Sequence, residues 1–201
     1  MKAVITGDVI NSRKVDSSIW IKALRELLQD YGNEPQDWEI YRGDSFQLIT
    51  DAKEALEIAL IIKATIRKHK QLDVRMSIGL GEIEYQSKKI TESNGTAFIN
   101  SGEQFQELKK NTLAIKSSSK EFNDIFNVIF QLMMLFANNW TPTTSEIIKL
   151  ALEDQSLNQN QLAKRLNKKS QSTISAALKR GGYDEIMDVI GLYKSELKKL
   201  C

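Results

Sequence analysis

The spacing of apolar positions changes several times along the chain, and each change marks an element. Lys2–Thr6 is a short apolar run ending at Gly7, the pattern of a buried strand, which leaves Asp8 just past its end. Ser17 or Ser18 can cap a helix whose apolar face is Trp20, Leu24, Leu27, Leu28 and Tyr31, and Gly32, Asn33 and Pro35 stop it. Trp38–Tyr41 and Phe46–Thr50 read as two strands of a hairpin joined by Arg42-Gly43-Asp44-Ser45. Asp51 can cap the next helix, which runs to about His69 with Ala55, Ile58, Ala59, Ile62 and Ile66 on one face. Over Asp73–Gly81 the pattern alternates: Val74, Met76, Ile78 and Leu80 fall on one face of a strand, and Arg75, Ser77, Gly79 and Gly81 on the other. Strand, helix, strand, strand, helix, strand predicts an α+β fold on the ferredoxin-like plan, an antiparallel sheet with two helices on one face. Gly79 and Gly81 leave the other face bare, for a ligand, another chain or a later segment of this one.

After a polar loop at Gln86–Gly95, Thr96–Lys110 reads as a helix and Thr112–Lys116 as a short strand, and Ser117-Ser118-Ser119 marks a boundary. Phe122–Asn139 is a strongly apolar helix that has to bury its surface, either on the core as a connecting helix or in a homodimer. Its 13-residue apolar run, Ile125 to Ala137, is shorter than the ~20 residues of a membrane span. Thr141-Pro142 opens a helical unit, since proline suits the first turn of a helix. Four helices follow, at Thr144–Glu153, Asn158–Asn167, Ser170–Arg180 and Tyr183–Leu200. The chain therefore divides into an α/β part at 1–120, an apolar helix at 121–140 and a helical domain at 141–201.

Charge sharpens that division. The whole chain carries +2, but residues 141–201 hold 10 Lys and Arg against 7 Asp and Glu, and residues 157–182 hold six basic residues and no acid. Two short helices around the tight turn Asn167-Lys168-Lys169 resemble a helix-turn-helix, in which the second helix enters the DNA major groove led by its N-terminal residues. Those residues are Ser170, Gln171, Ser172 and Thr173, whose hydroxyl and amide groups can hydrogen-bond base edges. Lys164, Arg165, Lys168, Lys169, Lys179 and Arg180 would meet phosphates.

The candidate chemistry lies in two Gly-Asp pairs, Gly7-Asp8 and Gly43-Asp44, each at the edge of a strand. Brought together, Asp8 and Asp44 would seat Mg²⁺, which takes one or two carboxylates plus phosphate oxygens. A phosphate-bearing ligand at that place would be met by Asn11, Ser12, Arg13, Arg42 and Ser45, with the backbone of Ile10–Ser12 as a cradle. His69, the only histidine, stands in Lys-His-Lys at a helix end, which excludes a histidine-based triad or zinc site.

Asp8, then Gly43-Asp44, then Arg75-Met76-Ser77-Ile78-Gly79-Leu80-Gly81-Glu82, resemble the palm domain of class III nucleotidyl cyclases. With ITGDVINSR, YRGDSFQL, VRMSIGLGE and the basic C-terminal part, the whole chain resembles the bacterial SatD family. The cyclase resemblance implies two metal-binding aspartates and, through Gly95-Thr96-Ala97-Phe98-Ile99-Asn100, a ligand-binding role for Asn100. It also has two departures. Gln104 stands where the family has its transition-state arginine, and Ile40 where it has its base-selecting lysine.

These features together predict a cytoplasmic, homodimeric transcriptional regulator that binds DNA and senses a nucleotide or other phosphorylated molecule. A single cysteine, Cys201, and the absence of a leader before the first strand fit that compartment. Two other readings stay open: a nucleotidyl cyclase or phosphotransferase variant that the helical domain localises, and a catalytically dead interaction scaffold.

Overall fold

Residues 1–167 and 170–200 are described by a computed structural model. Its α+β architecture centres on a mixed five-stranded sheet in the order β2-β3-β1-β4-β5. The strands are β1 (Lys2–Ile10), β2 (Trp38–Tyr41), β3 (Ser45–Asp51), β4 (Asp73–Gly81) and β5 (Leu113–Lys116). The first four pair antiparallel, and β5 runs parallel to β4 at the edge. Among the described residues the α-helices are α1 (Ser17–Gln29), α2 (Ala55–Arg67), α3 (Thr96–Glu107), α4 (Lys120–Ala137), α5 (Pro142–Glu153), α6 (Gln159–Arg165), α7 (Gln171–Gly181) and α8 (Tyr183–Leu197).

One sheet face carries Ala3, Ile5, Val9, Val74, Met76, Ile78 and Leu80 into the main core, against α1 and α2. The other face is covered by α3. The glycines noted in β4 serve this second contact, because a Cβ on Gly79 would lie 2.2 Å from the Ser101 nitrogen and one on Gly81 2.6 Å from the Ala97 nitrogen. Ser77, buried beside them, donates to the Ser101 carbonyl at 2.7 Å, and Ser101 donates to Thr6 at 2.7 Å.

The sequence pattern gave α2 one apolar face, but eleven of its thirteen residues are buried. A helix buried on all sides needs a neighbour on each, and here α5 and α8 lie on the side away from the sheet. Tyr193 of α8 donates to the Ala52 carbonyl at 2.6 Å, Lys194 pairs with Glu57 at 2.7 Å, and Arg67 of α2 donates twice to the Trp140 carbonyl, at 3.1 and 2.9 Å. One continuous core therefore runs from the sheet through α2 into α4, α5, α7 and α8.

Helix α4 also closes the sheet edge. The Asn127 side chain bonds both the Ile115 N–H (2.8 Å) and its C=O (2.9 Å), and Asn123 does the same for Ser117 (2.8 and 2.9 Å). Two asparagines four residues apart on one helix face thus take up polar groups that an edge strand would otherwise leave open. No helix among the described residues is long and apolar enough to cross a membrane.

Candidate functional site

Strand β1 does not stop at Gly7. It continues to Ile10, so Asp8 lies inside the strand rather than beyond it. The carboxylate is tolerated there because its neighbour on β4 is a cation. Cross-strand pairing sets Tyr41, Ser45, Asp8 and Arg75 in one row across four strands. Arg75 meets Asp8 with both arms of its guanidinium, Nε to Oδ1 and Nη2 to Oδ2, each at 2.7 Å. That bidentate bond holds the Arg75 pKa above its ordinary value. The guanidinium also lies 5.1 Å from the centre of the Phe105 ring on α3, a cation–π distance. The side chain of Arg75 is still 40% exposed, so the row opens to solvent.

Asp44 joins this end of the sheet through the loop between β2 and β3. Arg42 and Gly43 take positive φ, 52° and 89°, which turns the chain within three residues. The Asp44 carbonyl accepts from the Val9 N–H at 3.0 Å, and its carboxylate accepts from the Ser12 hydroxyl at 2.7 Å. Its charge adds to the upward pull on Arg75. Asn11, also left-handed at φ 62°, donates its side-chain amide to the Gln71 carbonyl at 3.1 Å. Arg13 and Arg42 are exposed. Tyr41, held above the usual phenol range mainly by burial, feels the charge of Asp8.

The fold thus gathers Asp8, Asn11, Ser12, Asp44 and Ser45 at one end of the sheet. Asn100 is not with them. Its amide donates to the Leu80 carbonyl at 2.7 Å, beside a cavity of about 470 Å³ lined by Gly81, Thr96, Asn100 and Ser117. Leu80 stands five residues along β4 from Arg75, roughly 16 Å at strand rise. The expected backbone cradle also differs from expectation. Ser12–Lys14 forms a 3₁₀ turn, and the N-terminus of α1 is capped by Asp16, whose carboxylate accepts from the Ser18 N–H at 2.9 Å. An acid already stands where a phosphate would meet the helix dipole.

The same geometry tests Mg²⁺. Both oxygens of Asp8 are taken by Arg75 and one oxygen of Asp44 by Ser12. A guanidinium held in two-point contact with the first carboxylate does not fit a dication beside it. The arrangement is instead that of a cation poised over an aromatic ring, able to exchange its carboxylate partner for another anion. Sequence reasoning missed Arg75 and Phe105 as members of this end. Arg75 was visible as a charge on the polar side of β4, but the register that sets it opposite Asp8 was not.

The helical part presents a second surface. Helix α6 starts with a reciprocal cap: Asn158 accepts from the Gln161 N–H at 3.0 Å, and Gln161 accepts from the Asn158 N–H at 2.8 Å. Helix α7 buries Ile174, Ala177 and Leu178 and packs on α5, where Gly181 leaves room for Ile148 and Thr144. Its first turn faces water, with Ser170, Gln171, Ser172 and Thr173 all exposed. Gln171 donates to Gln159 of α6 at 2.9 Å, and the Ser170 hydroxyl lies 2.8 Å from that of Ser172 and 3.2 Å from that of Thr173. Lys164, Lys179 and Arg180 are exposed, as is Arg165, which also pairs with Asp154 at 3.1 Å. Lys168 and Lys169 lie outside the described residues. Comparison with protein-family models, with curated proteins and with solved structures found no match to this chain.

Proposed function

We propose that this protein is a DNA-binding regulator whose helices α6 and α7 act as a helix-turn-helix and whose sheet end around Arg75 receives a phosphate-bearing molecule, such as a nucleotide. One observation carries the DNA reading. The first turn of α7 exposes four short polar side chains while the rest of that helix anchors in the core, and exposed lysines and arginines flank it. That is what a recognition helix needs: a fixed axis, base-reading groups at its N-terminus and phosphate contacts around it. The strand order β2-β3-β1-β4, antiparallel with α1 and α2 on one face, is the order that a ferredoxin-like plan calls for. A cytoplasmic location follows from a DNA partner.

The enzyme reading has less behind it, because Asp8 is committed to Arg75 and Gln104 holds the place of the cyclase arginine. Fluorescence anisotropy with duplexes from the protein's own promoter region, at several salt concentrations, tests the DNA reading. The expected result is binding that tightens by about a thousandfold or more over random duplex and weakens steeply with salt. Equal affinity for both duplexes would remove it.

A further inference from the structure

Helix α4 is apolar on two opposite sides. One side, Phe122, Phe126, Phe130, Met133 and Ala137, is buried in the core. The other carries Ile125, Val128, Leu132 and Leu135, which are 49%, 58%, 60% and 67% exposed. A contiguous exposed apolar strip of this kind marks an interaction site, and none of the described residues covers it. The spacing of that side is three, four, three residues, the narrow seam of helix-on-helix packing rather than the broad stripe that faces a core. With Phe136 at 40% exposure beside it, the seam offers roughly 500 Å² of apolar surface, so a symmetric pair would bury roughly 1,000 Å², the lower limit of a specific interface.

We propose that the seam is covered by the same seam of a second copy, the two α4 helices running antiparallel about a two-fold axis at residue 130. The positions themselves point to this. Glu121, Ile125, Val128, Leu132, Leu135 and Asn139 are symmetric about 130, so an antiparallel pair sets Ile125 against Leu135 and Val128 against Leu132 in two equivalent copies. It also sets the acidic Glu121 against the neutral Asn139, whereas a parallel pair would oppose Glu121 to itself. No charged residue lies between Ile125 and Ala137, so self-pairing brings no like charges together. The proposal stands apart from the DNA reading, since it rests on α4 alone and is measured by mass.

Sedimentation of the full chain at micromolar concentration is expected to give a dimer. Val128→Glu places a charge at the centre of the seam on a side chain that is exposed in the monomer. It is expected to weaken the dimer by roughly a hundredfold or more while leaving circular dichroism and the melting temperature of the monomer unchanged. Orientation is read by cross-linking in a Cys201→Ser background. Ile125→Cys mixed with Leu135→Cys is expected to form a disulfide-linked pair, and Ile125→Cys alone is not, since its two copies would lie about 15 Å apart along the helix axis. A monomeric wild type, including one that instead associates with lipid vesicles, overturns the proposal. So does a dimer untouched by Val128→Glu, or self-linking of Ile125→Cys.

Discussion

Two ion clusters sit two residues apart on β4, and they behave in opposite ways. At Asp73 the carboxylate faces inward to α2. Lys63, completely buried, donates to it at 2.7 Å, and Arg67 does so at 2.7 Å while also holding the Trp140 carbonyl. At Arg75 the roles reverse, with a part-exposed guanidinium gripping the Asp8 carboxylate at the open end of the sheet. Burial draws the Lys63 ammonium down to about 8, only partly opposed by Asp73, whereas the bond to Asp8 is the leading cause that lifts Arg75. In the first cluster desolvation outweighs attraction, and in the second attraction outweighs desolvation. The first is a fixed joint between sheet and helices. The second is a partnered charge within reach of water, the state in which a ligand anion can compete.

The largest effect expected from this contrast is at the joint. Asp73→Ala leaves the buried ammonium of Lys63 and the guanidinium of Arg67 without their shared carboxylate, and removing one partner of a buried pair costs about 3–5 kcal/mol. Urea unfolding should show that loss in the midpoint; a change under about 1 kcal/mol would mean that water reaches Lys63 and the joint is not dry. Lys63→Met, which removes the charge but keeps the volume, is expected to be near neutral at pH 7, since Asp73 retains Arg67 and the Val74 N–H at 2.8 Å.

The same lysine gives a pH signature. Its folded pKa lies below its unfolded value of 10.5, so between about 8 and 10.5 the unfolded chain holds more protons and stability rises with pH. The contribution is lost as pH falls through about 8. Over the full window it is on the order of 3 kcal/mol. Tyr31 and Tyr193, held above the usual phenol range chiefly by burial, act in the opposite sense above about pH 10. The useful comparison is therefore wild type against Lys63→Met between pH 8 and 9.5, where the variant should lack the rise.

At the open cluster the effect on stability is smaller and the effect on binding more telling. Asp8→Asn removes a part-exposed partner, which is expected to cost about 1 kcal/mol or less. It also frees Arg75 over the Phe105 ring. If this end receives phosphate, a nucleoside triphosphate in EDTA should raise the melting temperature of Asp8→Asn at least as much as that of wild type. If Asp8 instead holds a metal, the shift should need Mg²⁺ in the wild type and vanish in the variant. The two outcomes cannot both occur.

Much of the sheet was legible because its strands alternate or run apolar between turn residues. Asp73–Gly81 is a strand over the whole predicted span, and the Arg42–Asp44 turn sits where glycine allows positive φ. What was not legible depends on partners far away in sequence. Asp8 reads as a strand end until Arg75, 67 residues on, neutralises it. Ala55–Ile66 reads as a helix with one apolar face, and nothing local says that α5 and α8 cover the rest of it. Lys63 looks like the polar face of an amphipathic helix because its carboxylate comes from the next strand. At the site, residue types were readable and pairings were not.

The smallest effect on the fold, and the finest test of the helical surface, comes from two neighbours on α6. Lys164 and Arg165 are both exposed, but Arg165 pairs with Asp154. Neither alanine variant is expected to change stability by more than about 0.5 kcal/mol, since exposed pairs contribute little. Their effects on DNA should separate. If Lys164 meets a phosphate, Lys164→Ala weakens binding to specific and random duplexes alike and lowers the slope of log K against log salt by about 0.9. Arg165 has to leave Asp154 before it can do the same, so Arg165→Ala should change the slope less, and Asp154→Asn should increase it towards the value of one more phosphate contact. Equal slopes in all three variants and wild type would take α6 off the DNA and leave α7 to bind, if at all, from another side.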